Sequence, residues 1–201
     1  MGRVSDAPDR LVAATIDLLR TESYAAASVD AICARSGVKK GSFYHFFKSK
    51  DELVIAALDA EWTARRPVLD ALFSPTEPPL RRLSRYFRNV HERQLAMRAQ
   101  YGAVVGCFFG KLGYEVGHEG EIGKKVQGIL ATYIRYYESA LRDARAEGLR
   151  IDDIAGKARA LFAFMEGVLG QARITDDPNL IRDLSKGAFR FLGIEEVERH
   201  E

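Results

Sequence analysis

Cysteine is scarce in this 201-residue chain, with Cys33 and Cys107 far apart and in no metal-type spacing. That excludes a disulfide framework and suits a reducing compartment. No apolar run approaches the ~18 residues of a membrane span. The opening MGRVSDAPDR leads into a helix interrupted by charges and is not a secretory signal. His45, His91, His118 and His200 show no metal-ligand spacing, and G-x-S-x-G, H-E-x-x-H and the P-loop are all missing. Ser36-x-x-Lys39 matches one serine-hydrolase signature but lacks its companion motifs. The chain is therefore expected to have no catalytic residue, no metal, no cofactor and no membrane partner.

What is present is apolar enough to fold, at 47 % hydrophobic and 29 % charged residues. The formal net charge of +2 hides an uneven distribution. Residues 1–50 hold eight Lys/Arg against five Asp/Glu, whereas the rest hold 22 against 23. Between residues 35 and 50 there are five basic residues and no acid. A local excess of this kind is the electrostatic footprint of a nucleic-acid surface.

Hydrophobic spacing predicts helix almost throughout and no alternating strand, so the fold class is all-α. Asp6 or Ser5 caps a first helix, with Leu11, Ala14, Leu18 and Leu19 on one face. Ser28 is placed to cap a short second helix, and Gly37 to end it in the left-handed conformation. A third helix is expected over about 39–46. Ser49 and Glu52 form a capping box that opens a long fourth helix, with each expected to satisfy the other's backbone N–H. After the break SPTEPP, amphipathic segments are expected at about 79–98, 103–117, 120–147, 153–174 and 178–192. The expected division is a helix-turn-helix domain over 1–50, then a connecting helix with a ligand-binding and dimerisation domain over 51–201.

Two short helices around a glycine turn, the second rich in donors, make a helix-turn-helix whose second helix enters the major groove. Phe43, Phe47 and Val38 would pack inward. Lys39 and Lys40 near the helix start would reach base edges, with guanine O6/N7 the favoured partner. Gly41 would permit close approach. Ser42, Tyr44, Lys50 and Ser28 would hold phosphates, and His45 would meet a thymine methyl or a phosphate.

S-V-D-A-I (Ser28 to Ile32), S-G-V-K-K-G-S-F-Y-H-F-F (Ser36 to Phe47) and S-K-D-E-L (Ser49 to Leu53) resemble the DNA-binding head of TetR-type (tetracycline-repressor-like) regulators. Lys39 departs from the small hydroxyl that many members place there to cap the recognition helix. That loss weakens the cap by about 1 kcal/mol. The resemblance implies a dimeric cytoplasmic repressor that leaves a palindromic double-stranded operator when a small-molecule effector binds the larger domain.

In that larger domain, glycines 102, 106, 110, 113, 117 and 120 recur every three or four residues. They are expected to give either close helix packing or a frayed loop, or else a soft, ligand-responsive element. Cys107 is either a buried apolar residue or a sensor thiol activated by Lys111. G-C-F-F-G-K-L-G-Y-E (Gly106 to Glu115) is similar to a segment of TetR-type regulators, some of which sense electrophiles or oxidants, so a thiol-based repressor is the alternative within regulation. The pocket candidates are Trp62, Phe87, His91, Tyr101, Cys107, Phe108, Tyr133, Tyr137 and Glu166. Apolar stripes carrying Leu161, Met165, Val168 and Leu169, then Leu180, Leu184, Ala188 and Phe191, are expected to pair two helices with their symmetry mates in a homodimer. The alternative of another class is a helical small-molecule-binding or catalytic protein with no DNA role. Such a protein would show no sequence-selective DNA binding at physiological ionic strength.

Overall fold

The computed structural model describes residues 5–194, and every regular element among them is helical. Local sequence signals set the first boundaries. α1 (Ala7–Thr21) starts after Asp6, whose side chain makes no cap; Ser5 Oγ instead accepts the Ala7 amide at 3.3 Å. α2 (Val29–Ser36) begins where Ser28 Oγ accepts the Ala31 amide at 3.1 Å, and it stops at Gly37, whose φ of 67° suits a residue without Cβ. α3 (Lys40–Phe46) follows, with Lys39 as an N-cap that offers no side-chain acceptor. Before α4 (Lys50–Leu72), Ser49 Oγ accepts the Glu52 amide at 3.1 Å. The return bond differs from the expected box: the Glu52 carboxylate accepts from Lys48 N–H, at 2.7 Å, rather than from Ser49.

Two compact units emerge. The first comprises the described residues up to Arg66 together with Phe108–Ile129. It holds α1 to α3, most of α4, α6 (Phe108–Val116) and the start of α7 (Gly120–Ala146). Its helix-turn-helix core is Leu11, Ile32, Phe43 and Leu53, all fully buried, with Val38 and Cys33 beside them. Burial is the leading cause of a raised Cys33 pKa, with Asp30 adding to it, so this thiol is an inert core residue.

The second unit comprises Pro67–Cys107 and the described residues from Leu130 onward. Its elements are α5 (Pro79–Tyr101), the remainder of α7, α8 (Ile154–Thr175), α9 (Asn179–Arg182) and α10 (Leu184–Phe191). Pro67, where the units divide, lies inside α4 and removes one of that helix's hydrogen bonds. α10 packs on α5 and α8. An aromatic core joins Phe73, Tyr86, Phe87, Tyr137 and Phe162, with ring centroids 5.3 to 6.1 Å apart.

The glycine-rich segment corrects the expectation of one helix over 103–117. Gly102, Gly106, Gly117 and Gly120 all have positive φ, near 70–80°, and so interrupt helix rather than line it. Helix spacing alone could not distinguish the two, because breaks every few residues share the period. The turn over 103–107 is fixed within its own unit. Gln94 exchanges two 3.0 Å hydrogen bonds with the Gly106 backbone, and Asp176 accepts the Val104 amide at 2.9 Å and Arg98 Nη2 at 2.9 Å.

The Arg98 hydrogen bonds, then the Val104 amide, lower the Asp176 pKa. A depressed folded pKa stabilises the turn fully above the ordinary value and loses that contribution as pH falls through the lower folded one. In an NMR titration, the Val104 amide is expected to shift with a midpoint below the unperturbed 3.8, and Asp176→Asn is expected to abolish the step.

Candidate nucleic-acid interface

α3 has seven residues, too few to be stable alone, so its tertiary contacts decide which way it faces. Phe43 supplies the anchor. It is fully buried, its ring meets the edge of Tyr44 at 5.0 Å, and half-buried Phe47 lies 6.2 Å away. With that flank fixed, Lys39, Lys40, Gly41, Ser42, Tyr44 and His45 all lie exposed. Tyr44 is 55 % exposed, which is high for an aromatic residue next to a core and marks it as outside that core. A Cβ built on Gly41 would meet nothing within 4 Å, so the glycine leaves room outside the helix rather than against a neighbour.

Two basic side chains have intramolecular partners that the sequence did not reveal. Lys40 Nζ lies 2.8 Å from Asp30 Oδ1, joining α3 to α2 through an exposed pair. The hydrogen bond to Asp30 is the main cause of its raised pKa, which keeps Lys40 cationic. Lys50 is half-buried: its Nζ donates to the Tyr24 carbonyl at 2.8 Å and sits 3.6 Å from the centre of the Tyr24 ring. Desolvation lowers its pKa. Lys50 thus ties the start of α4 to the α1–α2 connection, unlike the exposed Lys39. Ser28 is exposed and serves as the α2 cap.

Arg10 was missed in the sequence reading. A hollow of about 450 Å³ is lined by Arg10, Gly37, Lys39, Gly41, Ser42 and His45, among others. Arg10 Nη1 donates to the Ser36 carbonyl at 3.4 Å, and its Nε lies 3.3 Å from Asp6. α1 therefore adds a guanidinium to the rim of the α2–α3 turn. Only the tertiary fold joins these residues; the one sequence hint is an arginine on the polar face at the start of α1.

The nine pocket candidates are distributed over both units. Trp62, 6.3 Å from Phe109 between ring centroids, and Phe108 belong to the first unit. Phe87, His91, Tyr101, Cys107, Tyr133, Tyr137 and Glu166 belong to the second. Phe87 and Tyr137 pack directly, Tyr133 stacks near Phe162 at 6.1 Å, and His91 and Tyr101 are half-buried on α5. Glu166 has a buried, unpartnered Oε1. Burial is the main cause of its raised pKa, opposed by a hydrogen bond with the half-exposed Cys107. The fully buried Tyr137 hydroxyl also completes no hydrogen bond of normal geometry, although Tyr86, Glu166 and Tyr133 contribute to its raised pKa after desolvation. The Lys111 ammonium is directed to carbonyls at the end of α1.

Five of the eight residues expected at a dimer interface are interior instead. Leu161, Met165, Leu169, Leu184 and Ala188 are buried within their unit. Val168 is half-buried, while Leu180 and Phe191 are each 44 % exposed. A wide apolar stripe has two buried faces, and the sequence does not say which one a partner covers.

Residues 11–57 match the model of bacterial regulatory proteins of the tetR family, and residues 79–187 match the tetracyclin repressor-like C-terminal domain. The transcriptional regulator AcuR of Cereibacter sphaeroides is 30 % identical over 195 residues, covering 92 % of this chain and 87 % of its own. A regulatory protein TetR from Rhodobacter sphaeroides, known by its crystal structure, superposes with a TM-score of 0.82 at 29 % identity, covering 93 % of this chain and 99 % of that one. The transcriptional repressor NemR of Escherichia coli is 29 % identical over 112 residues, 55 % of this chain and 54 % of its own.

Lys40 and Asp30 give a charge test of the surface. Lys40→Met is expected to weaken binding to a selected duplex roughly tenfold, the scale of one good base contact. Asp30→Asn removes an anion beside the interface and is expected to tighten binding. Fluorescence anisotropy on the two variants measures both directions, and equal affinities for all three proteins would exclude α3 from the contact.

Proposed function

The chain belongs to the TetR family of bacterial regulatory proteins, and from that premise we propose that it is a homodimeric, ligand-responsive repressor of a palindromic operator. The single observation carrying the DNA assignment is the exposed face of α3, with Lys39, Tyr44 and His45 held outward by the fully buried Phe43. Lys39 and Lys40 read base edges. Arg10, Ser28, Ser42 and Tyr44 contact phosphate, with Lys50 acting mainly through Tyr24. A regulator of this kind works in the cytoplasm, where the operator is.

Dimerisation uses the outer side of α8 to α10. Ile174 is 84 % exposed and joins Leu180, Phe191 and half-buried Val168, an apolar set that water alone would leave costly. Gly167 and Gly170 are exposed on α8 and would let a second helix approach closely. A two-fold axis places one α3 in each half-site, so the operator is a palindrome.

The effector is a small molecule bound in the second unit, where Glu166 and Tyr137 bring unpartnered polar atoms to an aromatic interior. It favours release by binding the non-DNA-binding conformation more tightly. A second reading is supported by one observation, the hydrogen bond between half-exposed Cys107 and the buried Glu166 carboxyl. There the effector is an electrophile or oxidant and the sensor is the Cys107 thiol. Cys107→Ser separates the two: release by an electrophile such as N-ethylmaleimide is lost in the thiol reading and is not expected from reversible binding.

Selection from a randomised duplex pool with purified protein is expected to enrich a two-fold symmetric site. No enrichment at physiological salt would remove the DNA assignment. Burying one phenylalanine contributes about 1.5–3 kcal/mol, so Phe191→Glu is expected to weaken the dimer more than tenfold in analytical ultracentrifugation with helix content unchanged.

A further inference from the structure

We propose that Lys111 and Glu115 of α6 are positioning residues for the DNA-reading helix, acting as a two-point latch on the corner between α1 and α2. The inference rests on the DNA-binding reading above. α6 begins at Phe108, two residues beyond Gly106, whose backbone Gln94 holds in both directions.

The end of any helix leaves carbonyls without intrahelical partners. At the end of α1, Lys111 Nζ donates to Leu19 O at 2.9 Å, to Arg20 O at 3.4 Å and to Glu22 O. An ammonium has three protons, and three carbonyls receive them. Its positive charge also meets the negative end of the helix dipole. The Lys111 side chain is only 10 % exposed, a degree of burial that lysine tolerates only when paired. One turn further along α6, the Glu115 carboxylate accepts the Tyr24 amide and lies 3.9 Å from Lys111 Nζ.

Tyr24 passes the constraint on. Its ring and carbonyl hold Lys50 Nζ, and its hydroxyl donates to Asp51. Both residues lie in the first turn of α4, which α3 joins through Phe47, Lys48 and Ser49. The contacts run from α6 to residues 19–24, then to the start of α4 and so to α3.

The test uses the full-length protein and the duplex recovered by selection, with affinity measured over a salt series and hydrogen exchange followed in the same samples. Lys111→Met and Glu115→Ala are each expected to lose about tenfold in affinity. The slope of log affinity against log salt should stay unchanged, because no phosphate contact is removed. Exchange should rise over residues 19–24 while α2 and α3 stay protected. Glu115→Gln keeps an acceptor for the Tyr24 amide and should restore most of the affinity. Wild-type affinity in both disruptive variants would overturn the latch. So would a salt slope shallower by about 0.9, the mark of one lost phosphate contact, or loss of protection in α2 and α3, which would reduce the residues to a folding role. Each of these three results leaves the DNA assignment standing, whereas a wild-type protein that selects no duplex would remove both.

Discussion

The burial of one phenylalanine fixes what the surface can do. Residues 36–50 combine three phenylalanines with four lysines, and a seven-residue helix has too few internal hydrogen bonds to choose its own orientation. Phe43 makes the choice by filling the space between Leu11, Ile32, Val38 and Leu53. Removing a buried phenylalanine typically costs about 3–5 kcal/mol, a large share of the stability of a small helical core. With that side chain inside, the period of the helix turns Gly41, Ser42, Tyr44 and His45 outward. The opposed demands of the sequence are met on opposite sides of one short rod.

Around this anchor, polar groups brace backbone that a helix alone would leave unsatisfied. Lys50, Lys111 and Glu115 converge on residues 19–24, where a helix ends and its carbonyls and the following amide need partners. The second unit is organised differently. Its interior is aromatic, and Glu166 and Tyr137 keep buried polar atoms without partners there. Such atoms destabilise a core unless something supplies the missing hydrogen bond. In the ligand-responsive reading proposed above, a small molecule that satisfies them would act on the conformation in which it binds.

The helix-turn-helix was legible because its signals are local. Ser28 and Gly37 bound α2 where expected, and α3 begins one residue later than the expected 39. The capping box was read correctly in one direction and missed by one residue in the other, since sequence does not resolve which amide a flexible glutamate reaches. Contacts made across the fold were not legible at all. Nothing local tells that Arg10 reaches the α2–α3 turn, that Lys50 lies on Tyr24, or that Lys111 reaches the carbonyls at the end of α1. The glycine segment failed for another reason: four of its glycines take positive φ, and their spacing imitates a helix face. In α8 to α10 the apolar period was right, but two buried faces share it, so Leu161 and Leu184 went to the core and Phe191 to the surface.

The central claim is that α3 lies in the major groove of duplex DNA. Methylation by dimethyl sulfate reports on both grooves at once, modifying guanine N7 in the major groove and adenine N3 in the minor groove. With the selected operator, the bound protein is expected to protect guanine N7 in two patches related by the dyad while adenine N3 between them stays reactive. Protection confined to adenine N3, or reactivity unchanged at every guanine of a fully bound duplex, would contradict it.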